Sequence, residues 1–277
     1  EIKKISSEYG LPIIEDCAQS FDSSYEGTET GTESWVGLIS CSLMKVPTTL
    51  GGGILLTKDQ TLVDNLNLAI ARNFEKASQK WALNYHLKGL ISILNSYPLL
   101  YSCLSHQIFG IIKNRNPTLL RQILYSGMGM SSAPFDPYER PPLARYQERV
   151  GKVQFSRTSE MTEKRRRNSF ILDEKLRGNP RVKILLEKPG CYWNYQYHVL
   201  DLGDRMDRVF NSLFAKGVHV MKEDVWDCTD HGFSDLTVSE CNVAQSRNPG
   251  LLRIPNNSFL SEERMTKIAS AIVAALD

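Results

Sequence analysis

The sequence predicts a layered α/β protein, on three observations. Short apolar runs, each the length of a buried strand, alternate with stretches of helical periodicity. Glycine and proline stop two of the helical stretches, at Gly10-Leu11-Pro12 and at Gly178-Asn179-Pro180. A second strand-and-helix pattern follows a Pro-rich segment, and 277 residues suffice for two domains at roughly 150 residues each.

The elements follow in order. Ile2 and Ile5 stand at helical spacing, and Tyr9-Gly10-Leu11-Pro12 ends that helix. Residues 12–15 (PIIE) read as a buried strand, as do 37–42 (GLISCS) and 53–57 (GILLT). From Asp59 to Phe74, Leu62, Leu66, Ala69 and Ile70 define the apolar face of an amphipathic helix. Residues 143–176 read as one long helical stretch, stopped at Gly178-Asn179-Pro180. Strands are expected at 182–186, 195–202 and 218–221, and helices at 205–216 and 261–276. The division expected is 1–135, with a helical insertion at about 78–135, and 136–277.

Composition narrows the function classes. Hydrophobic residues make up 42% and charged residues 23%, the balance of an ordinary globular chain rather than a disordered or collagenous one. A net charge of +2, without a strong basic cluster, argues against nucleic acid as partner. The six cysteines lack paired short spacings, which fits reduced thiols in the cytoplasm. Residues 89–112 hold no Asp, Glu, Lys or Arg, but Asn95, Ser96, Pro98 and His106 interrupt the run. A buried helical insertion is expected there. A membrane-touching hairpin over 86–125 stands as the alternative, ahead of a full span. The chain opens at Glu1-Ile2-Lys3-Lys4 with neither Met nor a signal peptide, and further sequence is expected upstream.

Two segments carry candidate chemistry. Glu15-Asp16-Cys17-Ala18-Gln19 follows the first strand directly, and ligands of α/β sheets bind at the carboxyl ends of strands. The bland alternative there is a capping Asp and a solvated Gln. In Ser40 to Gly53, Lys45 lies among apolar neighbours, where desolvation would make an amine nucleophilic. The bland alternative is a loop lysine beside a tight glycine turn, and the glycines lack the Lys-Ser/Thr of a phosphate loop. Cys228, His231 and Cys241 fit no short metal-ligand spacing, and Lys164 to Arg167 (KRRR) is expected to be a solvated helix face.

Taken together and in order, Glu15-Asp16-Cys17-Ala18-Gln19, Gly31-Thr32, Ser40 to Lys45 and Thr49 to Gly53 resemble the pyridoxal-phosphate sugar aminotransferases of the DegT/DnrJ/EryC1/StrS family. Gln147 to Phe155, Trp193 to Leu200 and Leu252 to Leu260 continue the resemblance more weakly. Val46 stands where the family often has Asn, and no clear match exists for the family's phosphate-reaching Asn, Arg140 being nearest. The resemblance implies fold type I. A partial, mostly parallel large-domain sheet would carry helices on both faces, with a smaller α/β C-terminal domain.

It implies pyridoxal 5'-phosphate as cofactor, held by Lys45 as a Schiff base. Asp16 would face the ring nitrogen, Gln19 the ring hydroxyl and Ser40 the phosphate. Lys45 would also shuttle the proton, and no metal is implied. It further implies an amino donor such as glutamate, a nucleotide-linked keto sugar as acceptor, and a homodimer. A paralogue without catalysis, or a member acting on a lipid-linked sugar, remains the alternative. Roughly the family's first third would precede this sequence, so residues 1–277 alone are expected to bind the cofactor weakly.

Overall fold

A computed structural model describes residues 1–42, 45–74, 87, 89–91, 94, 97–116, 143–222 and 250–276. The chain divides into two compact units, Glu1–Ser159 and Glu160–Asp277.

Unit 1 opens with α1 (Ile2–Tyr9), ended by Gly10 in the left-handed conformation at φ 62°. Glycine meets that angle without the steric cost of a Cβ. Its sheet has the order β1 (Ile14–Asp16), β4 (Val36–Ser40), β5 (Gly53–Leu56). β1 and β4 run parallel, with Asp16 opposite Leu38, and Cys17 N–H extends the ladder to Leu38 O at 2.8 Å. β5 returns antiparallel, pairing Ser40 with Gly53. Between β1 and β4 lies a hairpin, β2 (Ser24–Tyr25) and β3 (Thr28–Glu29), turned at Glu26 and Gly27 with φ of 50° and 79°.

The pleat of β4 sends Ile39 (1% exposed) to one side, where it packs with Cys17, Cys41, Phe21, Ile54, Leu56 and Phe155. Phe21 and Phe155 meet edge to face at 5.3 Å. Leu38 and Leu55 point to the opposite, exposed side. α2 (Gln60–Asn73) starts at Asp59, whose Oδ1 accepts the Leu62 N–H at 3.0 Å. The helix matches the expected 59–74.

Residues 98–115 are helical, with π geometry over Tyr101–Ser105 and α3 at His106–Arg115. In the described part of the expected insertion the cover is partial: Ser105 is buried, whereas Leu99, Ile108 and Ile111 are 74%, 47% and 55% exposed. Among the described residues no helix is long and apolar enough to cross a membrane. The expected linker at 130–142 and the cluster Cys228, His231 and Cys241 lie outside the described residues.

The single helix expected over 143–176 is two helices, α4 (Arg145–Ser156) and α5 (Thr158–Leu176). Arg157 breaks the first, with φ −111° and ψ 1°, and Thr158 Oγ1 caps back to Gln154 O at 3.0 Å. Both sides keep helical periodicity, which hid the break.

Unit 2 is built on a four-stranded antiparallel sheet of order β6 (Lys183–Ile184), β8 (His198–Asp201), β10 (Leu251–Ile254), β9 (Met221–Lys222). Strand β7 (Cys191–Tyr192) lies between β6 and β8 in the chain. α6 (Met206–Ala215) and α7 (Glu262–Leu276) bury Val209, Leu213, Met265, Ala269 and Ile272 against Leu200, Leu252 and Ile254. Each such side chain contributes roughly 1.5–3 kcal/mol over leaving it in water. Ser261 Oγ caps α7 at the Arg264 N–H, 3.3 Å.

The basic run 164–167 is not uniformly solvated. Lys164 faces solvent and pairs with Glu160 at 2.7 Å. Arg165 is 2% exposed and is satisfied internally, its Nε donating to Asn194 O at 2.9 Å and its Nη2 to Thr162 Oγ1 at 2.7 Å. Arg166 grips Glu187 through two bonds, 2.7 and 3.0 Å, and lies over the Tyr192 ring at 3.9 Å. Successive helix positions diverge by about 100°, so adjacent arginines meet different surroundings.

Two predictions follow from this packing. A Cβ on Gly37 would lie 2.3 Å from the Gly31 carbonyl oxygen, a backbone atom that cannot swing aside. Gly37→Ala should therefore lower stability in chemical denaturation by about 1–3 kcal/mol or more. In unit 2, Asp173 Oδ1 faces His198 Nε2 at 3.4 Å. Burial pushes the Asp173 carboxyl up to about 6 against the pull of Arg177, and burial pushes His198 down to about 4. A raised carboxyl favours the fold when protonated, so its contribution is full below about pH 3.8 and lost as pH rises through about 6. Asp173→Asn should thus raise the thermal midpoint near pH 7.5, by a stabilisation of order 1–3 kcal/mol. The gain should shrink toward zero near pH 4.

Candidate functional site

The candidate site begins with the pleat of the β1–β4 pair. Asp16 is opposite Leu38, and Ser40 lies two residues further along β4, so Asp16 and Ser40 project from the same face of the sheet. Both stand at the carboxyl ends of parallel strands, Asp16 exposed and Ser40 half-buried. Asp16 Oδ1 accepts the Ala18 N–H at 2.9 Å, which fixes the carboxylate at the strand end. Gln19 is exposed in the turn that follows β1.

Lys45 lies on the connection from β4 to β5 and is half-buried, with its N–H bonded to Ser42 O at 3.0 Å. That connection is closed on one backbone group. Cys41 O accepts the N–H of Thr49 at 3.0 Å and of Gly51 at 3.1 Å, while Cys41 N–H donates to Gly52 O at 2.9 Å. Thr49 Oγ1 donates to Gly51 O at 2.6 Å, and Thr48 Oγ1 accepts the Leu50 N–H at 3.0 Å. Leu50 and Gly52 take φ of 67° and 86°. Glycine suits the second of these positions, and the hydroxyl bond holds Leu50 in the first. Beneath the loop, burial pushes the Cys17 and Cys41 thiols up, so they stay protonated and act as core.

The donor set matches pyridoxal phosphate in its chemistry. A carboxylate can hold a protonated pyridine nitrogen, a hydroxyl can donate to a phosphate, and a primary amine can bond to an aldehyde. Among the described residues no His, Cys, Asp and Glu gather as a metal site.

The residue that composition and motif did not single out for this site is Gln147, 1% exposed on α4. Its Nε2 donates to Thr49 O at 3.0 Å and to Gly51 O at 3.4 Å, and its Oε1 accepts the Ala144 N–H at 3.0 Å. The sequence signal was the Gln three residues into the helix, where an amide reaches back to cap the first turn. Its second role spans 98 residues of sequence, and no local pattern shows it.

Comparison with known proteins follows this geometry. Residues 1–90 match the model of the DegT/DnrJ/EryC1/StrS aminotransferase family. A pyridoxal phosphate-dependent aminotransferase named EpsN, from Bacillus subtilis, is 30% identical over 96 residues, which is 33% of this chain and 25% of that protein. GDP-perosamine synthase of Escherichia coli O157:H7 is 38% identical over 64 residues, 23% of this chain and 18% of that protein. The chain therefore matches about a quarter or less of these relatives' length. Among solved structures, the aminotransferase TlmJ from Streptoalloteichus hindustanus superposes with a TM-score of 0.70 at 17% identity, covering 99% of this chain and 61% of that one. Residues 1–90 thus resemble the DegT/DnrJ/EryC1/StrS aminotransferase family, and the chain shares the fold of the solved aminotransferase TlmJ.

Proposed function

We propose that the protein carrying this chain is a pyridoxal-phosphate-dependent aminotransferase. It would move an amino group, from a donor such as glutamate, to a nucleotide-linked keto sugar destined for a surface polysaccharide or a modified secondary metabolite. The observation that carries this reading is the placement of Asp16 and Ser40 on one sheet face at adjacent strand ends, with Lys45 on the loop that follows. The relatives support the reaction class: one is named for pyridoxal phosphate and another for a GDP-linked amino sugar.

When bound, the cofactor supplies an aldehyde and an electron sink. Lys45 Nζ would hold the cofactor through that aldehyde and, when free, would serve as the base that carries the proton of the transfer. Asp16, oriented by the Ala18 N–H, would keep a proton on the ring nitrogen by pairing its negative charge with it. Ser40 would donate its hydroxyl to the phosphate, and Gln19 would meet the ring hydroxyl. The family resemblance implies a homodimer, which is the assembly proposed here. A reducing cytoplasm suits the described cysteines, Cys17, Cys41, Cys103 and Cys191, which are all unpaired.

A second reading concerns location. Residues 76–135 contain no Asp or Glu but hold Lys76, Lys80, Lys88, Lys113, Arg115 and Arg121. Leu99, Ile108 and Ile111 are exposed within that stretch. Apolar side chains among basic flanks suit an anionic lipid surface, so an acceptor sugar on a lipid carrier is the alternative substrate.

Three outcomes are expected of the complete protein. Borohydride reduction in the presence of pyridoxal phosphate should fix the label on Lys45 by peptide mapping, and Lys45→Ala should abolish transamination while the protein still folds. A label on another lysine alone contradicts the assignment. Asp16→Asn should lower turnover by about 10²-fold or more, because a neutral ring is a poorer electron sink. On the second reading, the protein floats with vesicles of anionic phospholipid and stays behind with neutral ones.

A further inference from the structure

We propose that Gln147 is a positioning residue for Lys45, acting through the β4–β5 loop rather than by touching cofactor or substrate. The proposal rests on the reading of Lys45 as the amine that takes the cofactor.

A primary amide has two N–H donors, and both on Gln147 are spent on carbonyls of one loop, Thr49 O and Gly51 O. Its oxygen is spent on the start of its own helix, at Ala144 N–H. The side chain is buried, so no water replaces these partners; Gly51 O keeps the Thr49 hydroxyl, but leaving Thr49 O without the Gln147 amide is costly. The amide therefore locks α4 to the turn that closes on Cys41 O.

Two close approaches fix the same seam. A Cβ on Gly52 would lie 2.4 Å from Leu143 Cδ2, just before α4. A Cβ on Gly151, one turn beyond Gln147, would lie 3.1 Å from Thr49 Cγ2. The helix is thus seated on the loop at Leu143, Gln147 and Gly151. Lys45 lies inside the segment that this seam closes, between Cys41 and Thr49. The placement of its amine depends on how firmly the far end of the loop is held.

The test uses two variants of the complete protein. Gln147→Met keeps the length and removes all polar bonds. Gln147→Glu keeps an acceptor for Ala144 N–H but sets carboxylate oxygens against two carbonyls. Hydrogen exchange on cofactor-free protein reads the clamp. The Thr49 and Gly51 amides should exchange at least about tenfold faster in both variants, while the α7 amides are unchanged. Two further measurements read Lys45. The yield of pyridoxal phosphate fixed on Lys45 by borohydride should fall several-fold, and the pH midpoint of the bound cofactor's near-visible absorption band should move.

Unchanged loop exchange overturns the proposal. Faster exchange with unaltered Lys45 labelling and an unaltered midpoint also overturns it, leaving a purely structural glutamine. If the unsubstituted protein takes no label on Lys45, the functional reading fails, and the positioning role fails with it. The exchange data then report only a clamp. Where neither variant folds, Gly151→Ala disturbs the same seam without altering the amide. It should raise loop exchange and lower Lys45 labelling in parallel, and no change in either overturns the proposal.

Discussion

The carbonyl oxygen of Cys41 organises the site more than any side chain does. It lies one residue past β4, and it gathers the N–H groups of Thr49 and Gly51 while Cys41 N–H reaches Gly52 O. A connection between antiparallel neighbours could have been a short turn or a loose excursion. Here the chain leaves the sheet, carries Lys45, and is drawn back onto the atom where it left. Net hydrogen-bond energies of about 1 kcal/mol each would not hold such a loop alone. The left-handed backbone at Leu50 and Gly52 and the Gln147 amide make the closure a single arrangement.

That closure matters because the other candidate groups need no loop at all. Asp16 and Ser40 are set by strand pairing, and the parallel register puts them on one face without further support. A carboxylate at one strand end and a hydroxyl at the next form a fixed pair of anchors. The Lys45 amine, by contrast, comes from the irregular connection between β4 and β5. On the proposed function, the sheet would position the binding groups and the clamped loop the reactive amine.

Much of this was legible in the sequence, and the reasons differ by element. The strands at 14–16, 36–40 and 53–56 were marked by the short apolar runs PIIE, GLISCS and GILLT, and α2 by its period and by Asp59 at its cap. Asp16, Gln19, Ser40 and Lys45 were singled out because a motif preserves order and spacing along the chain. The hairpin at 24–29 was missed because its strands are two residues each and carry no alternation. Arg165 was misread as solvated because its neighbours in sequence are charged, whereas its neighbours in space are Thr162 and the Asn194 carbonyl. Gln147 was seen as part of a helix motif, but its partners lie far away in sequence and only folding reveals them. The exposed apolar residues at 99, 108 and 111 were expected inside, because hydrophobicity alone does not say which surface covers a helix.

The central claim is that one cofactor meets Asp16, Ser40 and Lys45 together. A crystal structure of the complete protein loaded with pyridoxal phosphate tests it most directly. The account predicts continuous electron density from Lys45 Nζ to the cofactor, with the Asp16 carboxylate at the ring nitrogen and the Ser40 hydroxyl at the phosphate. A cofactor bonded to another lysine, or a ring turned away from Asp16 with its phosphate far from the end of β4, would contradict it.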